Sequence, residues 1–580
     1  MYVCRAGGLI HFPLQFVYWP VKNYSWMKNF NPAAVEEERA AMVPPPPAAR
    51  EEIVDDPPAE HQPSPSSATK PCWKTTTSSG AGVVIGTLMF LALLVGTNWI
   101  HHDAGQQYYS FHPVTDGGSF SRHGRATGRT RSSTAPLVHI PFSCGNDTSS
   151  PSLCRRRASP PAPSPSPSSS SSSQKQYSPG VPPPWCPDYF RHIHADMEPW
   201  RPTGITRDAV ERARPSAEFR LVVVSGRAYV EKYRPSFQRR DILTQWGILQ
   251  LLARYPDRVP DVDIMFGTGD VPVLRAADYP DHSTAPPLFR YCKDGTELAI
   301  LWPDWSFWGW PEVNVRPWGA LMEDFVRENG RLSWPDREPY AFWKGNPDVS
   351  PVRRDLFRCN NDSAAGKEWN VRAFKQDWNA AHRNGFRDSD LAKQCRYRYK
   401  IYVQGRAWSV SEKYILACDS PMLAIDTPFQ DFFTRGLVAG KHYWPIDPAR
   451  KCAAIKFAVD WGNAHPGQAR RMGEEGSGFA REEMGMDYVY EYMLHVLTQY
   501  SALLRYKPTV PEKAVEVCVE SMACPRRGRE REFMMESRER YVAGRELCTL
   551  PPPFTTEEVR EMAVRDEQVR SKLLQMEEGH

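Results

Sequence analysis

The sequence has little net charge, no closely spaced cysteine pair and only one long apolar run. Its 580 residues carry a formal charge of +4, too small to indicate a nucleic-acid partner. The 13 cysteines form no C-x-x-C pair, so the spacing expected of a structural zinc site is absent. No small-residue cleavage site closes an apolar stretch near the start, as a signal peptide requires. The chain ends EEGH, not in an ER-retrieval tetrapeptide. What is abundant is unevenly placed. Proline and serine crowd the first third, and tryptophan and tyrosine crowd the rest.

Residues 1–79 are low in pattern, with three consecutive glutamates at 36–38 and a proline run at 44–48. Such a segment cannot bury enough apolar surface to fold, and a disordered cytosolic tail is expected. Gly80 to Ile100 reads GAGVVIGTLMFLALLVGTNWI, without charge and about 20 residues long, which spans a bilayer. Lys70 and Lys74 precede it, and no Lys or Arg follows until Arg122. Positive-inside logic makes this a type II single-pass helix with a lumenal C-terminus and Trp99 as an interfacial anchor. Residues 101–185 then read as a lumenal stem, because Ser159–Ser173 is almost only Pro, Ser and Ala and cannot fold alone. Asn146 and Asn361 open glycosylation sequons. The eleven cysteines after the apolar run suggest lumenal disulfides. Their odd number leaves one free, and Cys418 is the expected one.

From Cys186 the pattern is α/β. Strands are expected at Arg220–Val224, Asp263–Phe266, Phe289–Cys292 and Leu298–Trp302, with a helix over Arg239–Tyr255. A second cycle has strands at Tyr340–Gly345, Tyr399–Val403 and Pro421–Ile425, with helices from Pro351 and Val410 and a helical stretch after Pro448. The expected organisation is a domain over 186–335, a second over 336–510, and a helical extension over 511–580. In an open α/β sheet, ligands bind beyond the carboxyl ends of strands.

Four constellations fall at such places. After the strand YAFW, Gly345 allows close backbone approach, and Ser350 and Pro351 make a good helix start. Arg353 and Arg354 add fixed positive charge there. After the strand YKIYV, Ser409-Val410-Ser411-Glu412 reads as a capping box ahead of a helix over Lys413–Cys418. Two adjacent helix starts of this kind attract a diphosphate. Leu301–Trp318 contains five tryptophans, broken by Gly309 and Pro311. It is expected to be a loop whose aromatic faces stack on sugar rings, the alternative being a tryptophan-rich core corner. Asp270 in FGTGDVP stands after a glycine loop at a strand end, where a carboxylate can serve as general base. The triplets Asp261-Val262-Asp263 and Asp388-Ser389-Asp390 read as structural, so no metal is expected at the chemistry. A glycosidase needs a second carboxylate, for which Asp304 is the candidate.

The segments GDVP, WPDWSFWGW, AFWKGNPDVSPVRRDL and CRYRYKIYVQGRAWSVSEKYILACDSPML, with the helical tail after HYWPI, resemble the Rumi-type protein O-glucosyltransferases of glycosyltransferase family 90. The resemblance is strongest to the plant branch. It implies a GT-B fold of two Rossmann-like domains facing a cleft, and inverting transfer from a UDP-sugar without a metal or other cofactor. The general base then falls on Asp270. The sugar and acceptor pocket falls on Trp305, Ser306, Phe307, Trp308, Gly309 and Pro311. The donor contacts fall on Gly345 and on Arg406, Ala407, Trp408, Ser409, Val410 and Ser411. In the animal enzymes an Arg ends that last segment; here Ser411 stands in its place. Lys413, Arg353 or Arg354 then supplies the charge, and neither glucose nor EGF-repeat acceptors are carried over. The resulting expectation is an O-glycosyltransferase of the Golgi membrane, or of the ER membrane, acting on a glycan or glycoprotein. Its rival is a transferase-like scaffold that has lost its chemistry and only binds glycans.

Overall fold

In the computed structural model the described residues are 138–145, 154, 184–360 and 368–579. The tail, the apolar stretch Gly80–Ile100, the run Ser159–Ser173 and both sequon asparagines, Asn146 and Asn361, lie outside them. Among the described residues no helix is long and apolar enough to cross a membrane.

The β-branched run of β1 (Phe219–Val224) is buried over its first five residues. It turns back through Ser225 and Gly226, both left-handed, into β2 (Arg227–Lys232), so that Val224 pairs with Arg227. A two-residue turn with both centres at positive φ matches the twist of a hairpin. The helix Arg240–Arg254 follows, buried almost all round, and leads to β3 (Val262–Phe266). Two short strands complete this part, β4 (Leu288–Arg290) and β5 (Ile300–Leu301).

The second sheet contains β6 (Glu338–Gly345), β7 (Val371–Lys375), β8 (Tyr397–Tyr402), β9 (Met422–Ile425) and β10 (Tyr443–Ile446). Its order is β10-β9-β8-β6-β7, and every pairing is parallel. β8 and β9 are buried along nearly their whole length, as strands of a parallel sheet covered on both faces must be.

The first sheet departs from the expected Rossmann-like pattern. The strand β11 (Val515–Val517), from the C-terminal extension, joins it to give the order β11-β2-β1-β3-β4-β5. β1 runs antiparallel to both neighbours, and only β3, β4 and β5 are parallel. No α-helix separates β3 from β4 or β4 from β5, because those connections are rich in Pro, Gly and Asp. The three helices after Pro448 are Lys451–Ala464, Pro466–Glu482 and Met486–Leu503. The last returns to the first sheet, where Tyr500 donates to the Asp263 carbonyl at 2.9 Å. The boundary expected at residue 510 therefore cuts through chain that packs on the first sheet.

Five disulfides join Cys144–Cys524, Cys154–Cys518, Cys186–Cys548, Cys359–Cys452 and Cys395–Cys418. The unpaired cysteine among the described residues is Cys292, not Cys418, whose place after its helix brings it against Cys395. The stem expectation also changes. Residues 138–145 lie along 540–542, with the Ile140 N–H donating to the Arg540 carbonyl. Cys144 and Cys154 are both anchored in the C-terminal extension.

Candidate active site

β6 and β8 are adjacent and parallel, so the loops that leave their carboxyl ends emerge side by side. After β6, Trp343 lies where a Cβ on Gly345 would meet its ring at 2.5 Å, so only glycine fits. Asn346 caps a short turn by accepting from the Asp348 N–H. Ser350 caps the helix Pro351–Leu356 by accepting from the Arg353 N–H. After β8, the chain turns sharply at Gly405, whose N–H donates to the Trp408 carbonyl at 2.9 Å. A Cβ there would meet that same carbonyl at 2.6 Å.

Arg353 ties the two loops together. Its Nε donates to the Gln404 carbonyl at 2.9 Å, and its Nη2 donates to Ser409 Oγ at 2.9 Å. Among the described residues it has no carboxylate partner. Burial pushes its guanidinium down to about 10, and the Tyr402 and Asp270 charges partly offset this. A half-buried cation without a carboxylate partner, held between two loops, is a site for an anion.

The second expected helix start is built differently. The helix is Ser411–Leu416, with Val410 at its cap position and no side-chain cap bond. Ser409 is engaged with Arg353 and with Ser411 Oγ at 2.9 Å. Glu412 is buried, so the capping box does not form. Lys413 is not available to a phosphate: its Nζ pairs with Asp304 Oδ2 at 2.7 Å, both side chains closed to solvent. That pairing also removes Asp304 as a second glycosidase carboxylate. Arg354 is exposed, one position round the helix from Arg353. Arg406 is half-buried, and Ala407 and Trp408 are buried in the same loop.

The tryptophan segment is core rather than an exposed loop. Trp305, Ser306, Phe307 and Trp308 form one 3-10 turn and are all buried. Asp304 caps it by accepting from the Ser306 N–H at 2.8 Å, and Tyr414 donates to Ser306 Oγ at 2.8 Å. Trp308 donates to Tyr490 Oη. Gly309, at φ 108, packs so closely on Phe533 that a Cβ would stand 2.8 Å away. Pro311 opens the next turn. The Trp305 ring meets Tyr291, Trp310 and Trp408, and so forms the wall between the Asp270 loop and the β8 loop.

Asp270 leaves β3 on the loop 267–272. Arg290 Nη2 fixes that loop by donating to the Gly269 and Val271 carbonyls at 2.8 and 2.7 Å. The Cys292 thiol donates to the Asp270 carbonyl at 3.2 Å. Arg240 Nη1 donates to Asp270 Oδ1 at 2.6 Å. The same guanidinium lies on the Trp305 face, 4.1 Å from its centroid. The Asp270 side chain is 28% exposed, and Oδ2 accepts no hydrogen bond among the described residues. A fixed carboxylate with one free oxygen can take a proton. Arg240 was missed in the sequence, where Arg239-Arg240 read as the polar start of an amphipathic helix. The available signal was a basic pair in a first turn, where the helix dipole disfavours cations.

The aspartate triplets are occupied within the fold. Asp261 accepts from the Ser225 N–H. Asp263 lies inside β3, not before it, and holds Arg220 through both oxygens. Asp388 and Asp390 accept from Asn384 and Ala392. Cys186, His495 and Cys548 lie close together, but the two thiols are joined to each other.

A carboxylate with one oxygen free and, near enough to interact with it, a half-buried guanidinium without a carboxylate partner among the described residues, on an α/β frame, suit a group-transfer enzyme with an anionic leaving group. The family model Glycosyl transferase family 90 matches residues 182–577, and the chain belongs to that family; it is a glycosyltransferase. It is 25% identical over 337 residues to Protein O-glucosyltransferase 1 of Bos taurus, covering 56% of this chain and 83% of that protein. The Homo sapiens protein of the same name is 25% identical over 335 residues, covering 56% and 82%. O-glucosyltransferase rumi of Drosophila melanogaster is 22% identical over 332 residues, covering 56% and 78%.

Proposed function

We propose that this glycosyltransferase moves a sugar from a UDP-sugar to a hydroxyl of a glycan or glycoprotein, with inversion at the anomeric carbon. The observation that carries the reading is that Asp270, with one carboxylate oxygen free, and Arg353, without a carboxylate partner among the described residues, lie near enough to interact electrostatically. Asp270 Oδ2 accepts the proton of the acceptor hydroxyl. The acceptor oxygen then attacks the anomeric carbon, and the bond to the UDP oxygen breaks on the opposite face. Arg353, with the loops at Gly345 and Arg406–Ser411, receives the developing diphosphate charge, a role that favours the transition state over the ground state. The first sheet supplies the base and the second the donor site, a GT-B arrangement. The donor charge is met by side chain and backbone, and no metal or other cofactor enters the scheme. Related proteins are named O-glucosyltransferases, which supports an O-linked product.

The reading includes a type II anchor at Gly80–Ile100, with the catalytic body in the lumen of the secretory pathway, the Golgi in particular. Five disulfides in the body support an oxidising compartment. The decisive experiment is Asp270→Asn in the purified protein against a panel of UDP-sugars. Transfer at the wild-type rate would remove Asp270 as base. Calorimetry with UDP tests the donor site separately, since a chain that binds no UDP is the inactive glycan-binding scaffold instead.

A further inference from the structure

A groove beside the Asp270 support is unassigned by the chemistry above. It encloses about 280 Å³ between the turn Pro311–Val313, the helix Trp378–Arg383 and the start of the helix Gly528–Glu536. Arg239 closes one side through ion pairs to Glu312 at 2.8 Å and Glu530 at 3.0 Å. Arg527 and Arg529 also line it. Neither has a carboxylate partner among the described residues. Arg529 is steadied by the Pro311 carbonyl at 3.2 Å and by the Phe386 ring, whereas Arg527 is exposed. Glu312 Oε2, on the same wall, is a buried acceptor with no partner.

Backbone strain concentrates on the same walls. Gln238, Arg239, Asn314 and Phe386 are non-glycine residues at φ between 48 and 64°. Such conformations persist where the surrounding structure over-determines them. Two large aromatics stand open at the rim: Phe237 is 57% exposed and Trp378 39%. Trp378 is one helical turn before His382, a lining residue, and so shares its face. The groove adjoins the reacting side. Arg239 precedes Arg240, which holds Asp270, and Trp310, just before Pro311, packs edge-on to Trp305 at 5.1 Å.

We propose that this groove is an acceptor subsite for a carbohydrate chain bearing carboxylates, a uronic-acid-containing glycan. The assignment rests on the proposed transfer site at Asp270. Two guanidinia without counter-ions select negative charge. An unpaired carboxylate oxygen in the same groove selects hydroxyls, and exposed flat rings select the apolar faces of sugars. An acidic peptide satisfies the first feature but not the other two together.

The test uses the full chain in detergent and three probes: a galacturonic acid tetramer, a neutral galactose tetramer and a tetraglutamate peptide. The acidic tetramer is expected to bind about tenfold more tightly than the neutral one, the scale of charge-assisted hydrogen bonds, and to weaken with added salt. Arg527→Gln changes an exposed side chain that has no hydrogen bond or ion pair among the described residues, and is expected to weaken acidic-tetramer binding by roughly threefold or more, the scale of one exposed charge contact. Trp378→Ala is expected to weaken both tetramers. UDP affinity is expected to stay unchanged in both variants. Equal affinity for the two tetramers, indifference to Arg527→Gln, or binding of the peptide alone would each overturn the proposal. UDP titration keeps the two readings apart. Acidic-tetramer binding without UDP binding removes the transferase site and leaves the groove, and the reverse removes only the groove.

Discussion

Lys413 and Asp304 form an ion pair of 2.7 Å with both side chains closed to solvent. The pair joins the helix after β8 to the tryptophan turn after β5, and Asp304 caps that turn with its other oxygen. Removing one partner leaves a buried charge without its neutraliser, a loss of about 3–5 kcal/mol. Lys413→Met and Asp304→Asn should each lower the chemical-denaturation midpoint by that order. The double variant should recover much of the loss, because neither charge then remains. Strictly additive losses would show that the two side chains do not act as a pair.

Arg353 reaches the β8 loop through Gln404 and Ser409 and has no carboxylate partner among the described residues. If a diphosphate is its counter-ion, Arg353→Gln should weaken UDP binding by about 10–100-fold, the scale of one or two strong charge-assisted bonds. Arg353→Lys keeps the charge but loses the fork that serves both loops, so it should recover only part. Calorimetric titration with UDP reads both. Wild-type affinity in Arg353→Gln would place the diphosphate elsewhere.

Arg240 Nη1 donates to Asp270 Oδ1 at 2.6 Å; if Asp270 is the base, Arg240 orients it. Arg240→Gln should therefore lower kcat by about 100-fold, as expected when a reacting group loses its orientation. KM for the donor should change little. Arg240→Lys should restore part of the rate if charge at that position matters. A rise in donor KM with unchanged kcat would instead place Arg240 in the donor site.

Three strands of the second sheet were legible in the sequence because they are apolar, β-branched or aromatic runs punctuated by Gly, Pro and Ser, whereas β7 (VRAFK) and β10 (YWPI) were not among the expected strands. YAFWKG, YKIYV and MLAI all fall where the pattern placed them. β2 was not legible: RAYVEK alternates charge with apolar residues, and its pairing depends on the Ser225-Gly226 turn. The tryptophan segment misled for a physical reason. Its breaks at Gly309 and Pro311 resemble a surface loop, yet a 3-10 turn capped by Asp304 buries all its rings. Asp304–Lys413 and Arg240–Asp270 join residues 109 and 30 positions apart. Local spacing carries no trace of such pairs, so a lysine expected at the phosphate was already spent and an arginine beside the carboxylate went unnoticed.

Lys400 offers a test of the second sheet's interior. It lies on β8 at 3% exposure, with Gln394 Oε1 at 3.3 Å and the Phe342 ring as its neighbours. Burial, reinforced by the Arg337 charge, pushes its ammonium down to about 7. An unfolded lysine titrates near 10.4. Between those values the unfolded chain holds a proton that the folded chain does not, so stability rises with pH across that window. Below pH ~7 both states are protonated, and the folded state carries the full cost of the buried charge. Lys400→Met should therefore be more stable than wild type at pH 6, by about 1–3 kcal/mol, the unsatisfied Gln394 limiting the gain. That advantage should shrink steadily toward pH 10 as the wild-type lysine becomes neutral when folded. Urea denaturation of both proteins at pH 6 and pH 9 measures it. A gain independent of pH, or a less stable variant at pH 6, would show that Lys400 is paid for by contacts other than those to Gln394 and Phe342.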